Sequence, residues 1–109
     1  MAEVTMANPE LDEMLAAATA AVGRMADLND DYEAIRAQAA DPRNLVTATV
    51  NGAGGLVGLR LDPASLRLGA SELGDLIAST ALIAAQRAFA RRAAITEEFQ
   101  SELGAADNR

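Results

Sequence analysis

The sequence predicts an α+β fold: a helix, an antiparallel hairpin and a second helix. Three observations predict it. Val46, Ala48 and Val50 alternate with Thr47, Thr49 and Asn51, and Val57, Leu59 and Leu61 alternate with Gly58, Arg60 and Asp62. A period of two gives each run one apolar side, which something must cover. Between the runs, Asn51-Gly52-Ala53-Gly54-Gly55 supplies residues that accept positive φ, as tight hairpin connections require. On both sides lie alanine-rich stretches with helical periodicity.

The first helix opens at Asn8-Pro9, because Asn caps a helix and Pro fits its first position. Glu10, Asp12 and Glu13 then favour the positive end of the helix dipole. Leu11, Ala18, Met25 and Tyr32 repeat every seven residues, interleaved by Met14, Ala21, Leu28 and Ile35 and widened by Leu15 and Val22, a coiled-coil-like seam. Asn29-Asp30-Asp31 weaken the helix, and Glu33 to Gln38 reads equally as its continuation or as a short strand. Asp41-Pro42-Arg43-Asn44 is a turn, since Pro disfavours helix in the residue before it. The two strands run from Asn44 to Gly52 and from Gly55 to Pro63. Gly69-Ala70-Ser71 leads into the second helix, with Ser71 as its cap. Its apolar face is Leu73, Leu76, Ile77, Thr80, Ala81, Ala84 and Ala88, continued by Ile95, Phe99 and Leu103 as far as Gly104.

The 109 residues make a single domain over 1–109, with about 1–8 and 105–109 as flexible ends. The core is short of bulk, with no Trp, one Tyr and two Phe. A homodimer would relieve that shortage, and Leu11, Met14, Met25, Leu28, Val46, Val50, Leu59 and Leu61 are the expected dimer or core residues. The absence of Cys and His removes thiolate nucleophiles, the commonest metal ligand and the usual neutral-pH base. No basic, apolar leader opens the sequence, and the run from Leu76 to Ala85 is too short to cross a bilayer. The expectation is a cytoplasmic protein without membrane contact, metal or cofactor. Net charge is −7, which opposes non-specific attraction to nucleic acid. It is uneven: residues 1–43 hold nine acids against three arginines, giving −6, and residues 44–109 hold seven against six, giving −1.

Leu45 to Gly52, Leu56 to Pro63 and Leu73-Gly-Asp-Leu-Ile-Ala78 together resemble the YbaB/EbfC family of small bacterial nucleoid-associated proteins. The likeness runs from about Tyr32 to Phe89. It implies helix, three-stranded antiparallel sheet and helix, in an intertwined homodimer whose paired helical arms grip duplex DNA. It also places a first strand near Glu33–Ala39. Typical members have a first helix rich in Gln and Lys, whereas this one is alanine-rich and acidic with the single Arg24, so the chain resembles an acidic actinobacterial member. Some actinobacterial relatives are encoded beside type VII secretion systems, which implies as the alternative a protein-interaction or stabilising module with another protein as partner.

The glycines at 52, 54 and 55 join two antiparallel strands, with no Lys or following Ser/Thr, so hairpin geometry explains them better than a phosphate loop. Asp30-Asp31 and Glu97-Glu98 point apart as sequence neighbours, a pattern of solvated surface. Ser65, Ser71, Ser79 and Ser101 have no His or Lys to activate them, so no enzyme is expected. Arg87, Arg91 and Arg92 form the densest basic cluster and, with Arg24, are the candidate DNA contacts, since forked guanidinium donors suit phosphate. The competing expectation is that these arginines pair with carboxylates of the first helix.

Overall fold

The structure, a computed structural model, describes residues 8–107. In chain order it contains α1 (Pro9–Glu33), β1 (Arg36–Ala40), β2 (Val46–Asn51), β3 (Leu56–Leu61), a 3-10 turn (Pro63–Arg67) and α2 (Ala70–Asp107). The expected loose ends fall mostly outside the described residues, although Asn8 caps α1 and α2 continues past Gly104 to Asp107.

Asn8 accepts a hydrogen bond from the Leu11 amide at 3.1 Å, with Pro9 in the first turn, as the sequence signals. The ambiguous stretch after Asp31 divides: α1 ends at Glu33 and β1 begins at Arg36. Asp30, Asp31 and Glu33 oppose the dipole at this end. Two contacts offset them. The Tyr32 hydroxyl hydrogen-bonds the Thr96 hydroxyl on α2, and Arg36 Nη1 donates to the Glu33 and Ile35 carbonyls at 3.1 and 2.7 Å.

The sheet is antiparallel in the order β1-β2-β3. Asn44 lies before β2 rather than in it, in a left-handed turn at φ 56, a conformation Asn tolerates. The alternation of β2 is as expected, with Val46, Ala48 and Val50 fully buried. β3 corrects the simple alternation. A bulge lets Leu56 face Val50 while Leu59 faces Ala48 and Leu61 faces Val46, so Leu56 takes the place expected of Val57. The exit from β3 is a 3-10 turn capped by Asp62, whose carboxylate accepts from the Ala64 amide at 2.9 Å. Asp62-Pro63 repeats the cap-then-proline signal of Asn8-Pro9 and could have revealed it. α2 starts at Ala70, one residue before the expected cap Ser71, and its first turn closes by Leu73 N–H donating to the Gly69 carbonyl.

Thr80, Ala84 and Ala88 press α2 onto β1 and β2, where Ile35, Ala37, Ala39, Ala48 and Val50 complete the core. This core is small, and β3 lies outside its cover: Leu56, Leu59 and Leu61 are 47%, 43% and 38% exposed. Beyond the sheet, α1 and α2 run antiparallel as one arm. They meet only over the last turns of α1, where half-buried Leu28 lies near Ile95 and Phe99. The seam does not pack along α2 as a whole, because α2 passes only the C-terminal part of α1. Leu11, Met14, Leu15, Val22 and Met25 stay exposed. The result is elongated, 77 × 34 × 16 Å.

Candidate nucleic-acid interface

Charge follows the architecture more sharply than it follows the sequence halves. The arm, residues 9–33 and 95–105, carries ten acids against Arg24 alone, giving −9. The body, residues 34–94, carries Arg36, Arg43, Arg60, Arg67, Arg87, Arg91 and Arg92 against Asp41, Asp62, Glu72 and Asp75, giving +3. A polyanion meets attraction at the body and repulsion along the arm.

Arg87, Arg91 and Arg92 stand where the arm leaves the body, and the structure directs them to different places. Arg87 Nη1 donates to the Gln38 carbonyl on the outer edge of β1 at 2.8 Å. Arg91 lines a hollow with Asp31, Ala34, Ile35 and Ile95. Arg92 lies 4.0 Å above the centre of the Tyr32 ring, a cation–π contact. Beside it a pocket of about 260 Å³ is lined by Asn29, Glu33, Arg36, Asn51, Gly52 and Ala53 together with Tyr32 and Arg92. Arg24 is remote from these three. It is half-buried in an arm groove with Asp27, Asp31, Glu98 and Glu102, and its Nε is buried without a hydrogen-bond partner.

The hairpin tip holds this region in shape. Asn51 Oδ1 accepts from the Ala53 and Gly55 amides at 3.1 and 2.9 Å. A Cβ on Gly52 would sit 2.7 Å from the Tyr32 carbonyl oxygen, so the tip packs against the end of α1 only as glycine. Gly54, at φ +84, lies equally close to the Phe89 ring.

The family model of the YbaB/EbfC DNA-binding family matches residues 6–103. The chain belongs to that family. No curated protein matches it. Membership supports a nucleoid-associated DNA-binding role with DNA as partner, in a family that is generally non-enzymatic. Among the described residues, no helix is long and apolar enough to cross a membrane, and no three His, Cys, Asp or Glu residues gather as a metal site. In this YbaB/EbfC protein the arm is acidic and the body basic.

Sequence reasoning passed over Arg36 and Arg60, each a single charge within a strand. The strand register was the signal that could have found them. Arg36 pairs with Asn51, Gln38 with Thr49 and Thr47 with Arg60, which places all of these on the sheet face opposite α2.

Proposed function

We propose that the protein is a non-enzymatic homodimer that holds duplex DNA mainly through its phosphates, in the cytoplasm at the nucleoid. The observation that carries this reading is the charge division: a basic body within an acidic chain of a DNA-binding family. Arg87, Arg91 and Arg92 are the phosphate contacts at the root of each arm. Arg24, set among four carboxylates, contributes least.

A second copy is the occupant that best fits the uncovered apolar surface. The chain exposes 7890 Å², whereas a compact monomer of 11.3 kDa exposes roughly 5,700 Å². Leu56, Leu59 and Leu61 lie together at the open side of the core. Dimerisation there would join the small core to its copy.

The deciding experiment is a titration of labelled duplex DNA at two salt concentrations. Phosphate contacts release counterions, so affinity falls with a log–log slope of roughly 0.9 per phosphate contacted. Failure to bind even at low salt moves the assignment to a second reading, an acidic protein-interaction module such as one serving a type VII secretion system. That reading is favoured by the exposed Leu11, Met14, Leu15 and Val22 on the acidic arm.

A further inference from the structure

We propose that the DNA backbone is held against the open face of the sheet, across Arg36, Gln38, Thr47, Thr49 and Arg60, rather than between the helical arms. This rests on the DNA-binding reading above and adds the sheet face to the contacts at the arm root. Gln38, Thr49 and Gly58 lie in one row across the three strands, with Ala40, Thr47 and Arg60 in the next row on that face and Arg36 and Asn51 on the other flank. α2 covers the opposite face, through Ala84 and Ala88.

No strand position on the open face is acidic, in a chain with sixteen acids. Hydroxyls, amides and guanidinium groups are the side chains that position a nucleic-acid backbone. Gly58 keeps the middle of the face low: a Cβ there would lie 3.3 Å from Thr49 Cβ. The resulting hollow of about 200 Å³ is lined by Gln38, Thr47, Thr49 and Arg60. Arg36 and Arg60 stand on opposite outer strands and four rows apart, a separation of roughly 17 Å from strand spacing and rise. That equals roughly five steps of duplex at 3.4 Å each. Arg36 also borders the pocket that contains Arg92, so the basic strip continues to the root of the arm. The arms, at −9, repel the same backbone and leave the sheet as the approach.

The test is fluorescence anisotropy of a labelled random-sequence duplex at low and moderate salt, with circular dichroism and light scattering on each variant. Arg60→Ala should weaken binding at low salt by roughly tenfold and reduce the salt slope by about 1. Arg60 is preferred over Arg36, which also caps α1. Thr49→Glu, placing a carboxylate in the middle of the face, should weaken binding further, and Thr49→Lys should tighten it. All three should keep the wild-type spectrum and mass. Unchanged affinity in Arg60→Ala and Thr49→Glu, with loss in Arg91→Ala, would overturn the sheet-face site and leave DNA binding at the arm root. A change of mass caused by Thr49→Glu would place this face in the subunit interface and equally overturn it. No binding by the wild type at low salt would overturn the DNA reading itself and the sheet-face site with it.

Discussion

Arg87 donates to the Gln38 carbonyl at 2.8 Å and thereby occupies the outer edge of β1. An edge strand presents unpaired backbone groups that invite another chain, and a charged side chain laid over it discourages pairing. The other edge strand, β3, has exposed leucines beside it. The two edges are therefore unequal, and a second copy should join at β3. Leu59→Asp should shift the mass in light scattering at low micromolar concentration from twice 11.3 kDa to 11.3 kDa. Arg87→Ala should leave the dimer intact. A Leu59→Asp protein that stays dimeric would place the interface elsewhere.

Gly52 and Gly55 flank the same turn but differ in what a methyl group would meet. At Gly52 the obstacle is the Tyr32 carbonyl, a backbone atom at 2.7 Å, with Ile35 at 3.3 Å. At Gly55 it is the Asn51 side chain at 3.3 Å. Gly52→Ala should therefore cost about 1–3 kcal/mol in denaturant unfolding, as overpacking against a fixed neighbour does, and Gly55→Ala clearly less. Equal costs would mean that the tip is free to move away from α1.

Much of this fold was legible in the sequence because its signals were local. The alternation of Val46, Ala48 and Val50, the Asn-Gly turn and the Asn8-Pro9 cap each depend on neighbours within a few residues. The end of α1 was not legible, because it is settled at long range by Tyr32 meeting Thr96 and by Arg36 capping carbonyls. The candidate site was half legible. The Arg87, Arg91 and Arg92 cluster is visible as a run, but the divergent directions of its side chains depend on β1 and on the end of α1. The charge division was hidden because the acidic end of α2 offsets the arginines of residues 44–94 when the second half is counted as one. Only the pairing of α1 with the end of α2 separates arm from body.

Asp41 should govern the acid side of the stability curve. Its carboxylate is buried and accepts from the Val46 amide at 2.7 Å and the Arg43 amide at 3.0 Å. Burial pushes its pKa up, but hydrogen bonds from the Val46, Arg43 and Leu45 amides and the Arg43 charge outweigh it and hold the pKa below 3.8. The unfolded chain then binds the proton more readily than the folded one. The stabilisation is present above the unfolded value and is lost as pH falls through the lowered folded value. Thermal melts between about pH 2 and 5 should show a shallower fall for Asp41→Asn than for the wild type, with a lower melting temperature at neutral pH. Parallel curves would mean that other carboxylates carry the acid transition.

Arg91 and Arg92 are sequence neighbours with different expected roles, and three substitutions separate them. Arg92 rests on the Tyr32 ring, and an exposed cation–π contact contributes about 0.5–1 kcal/mol. Arg92→Ala should lower the melting temperature slightly and weaken DNA binding as well. Arg92→Lys keeps the charge with a poorer stack, so it should retain most of the DNA affinity while giving up part of the stability. Arg91 lies in a shallow hollow facing Asp31, without a ring beneath it. Arg91→Ala should leave the melting temperature nearly unchanged and reduce the log–log salt slope by roughly 0.9 for each phosphate that the side chain had neutralised. The reduction should be alike on all duplex sequences, because phosphate contacts position without specifying. If Arg91 instead serves to neutralise Asp31, its removal would lower the melting temperature and leave the salt slope as it was.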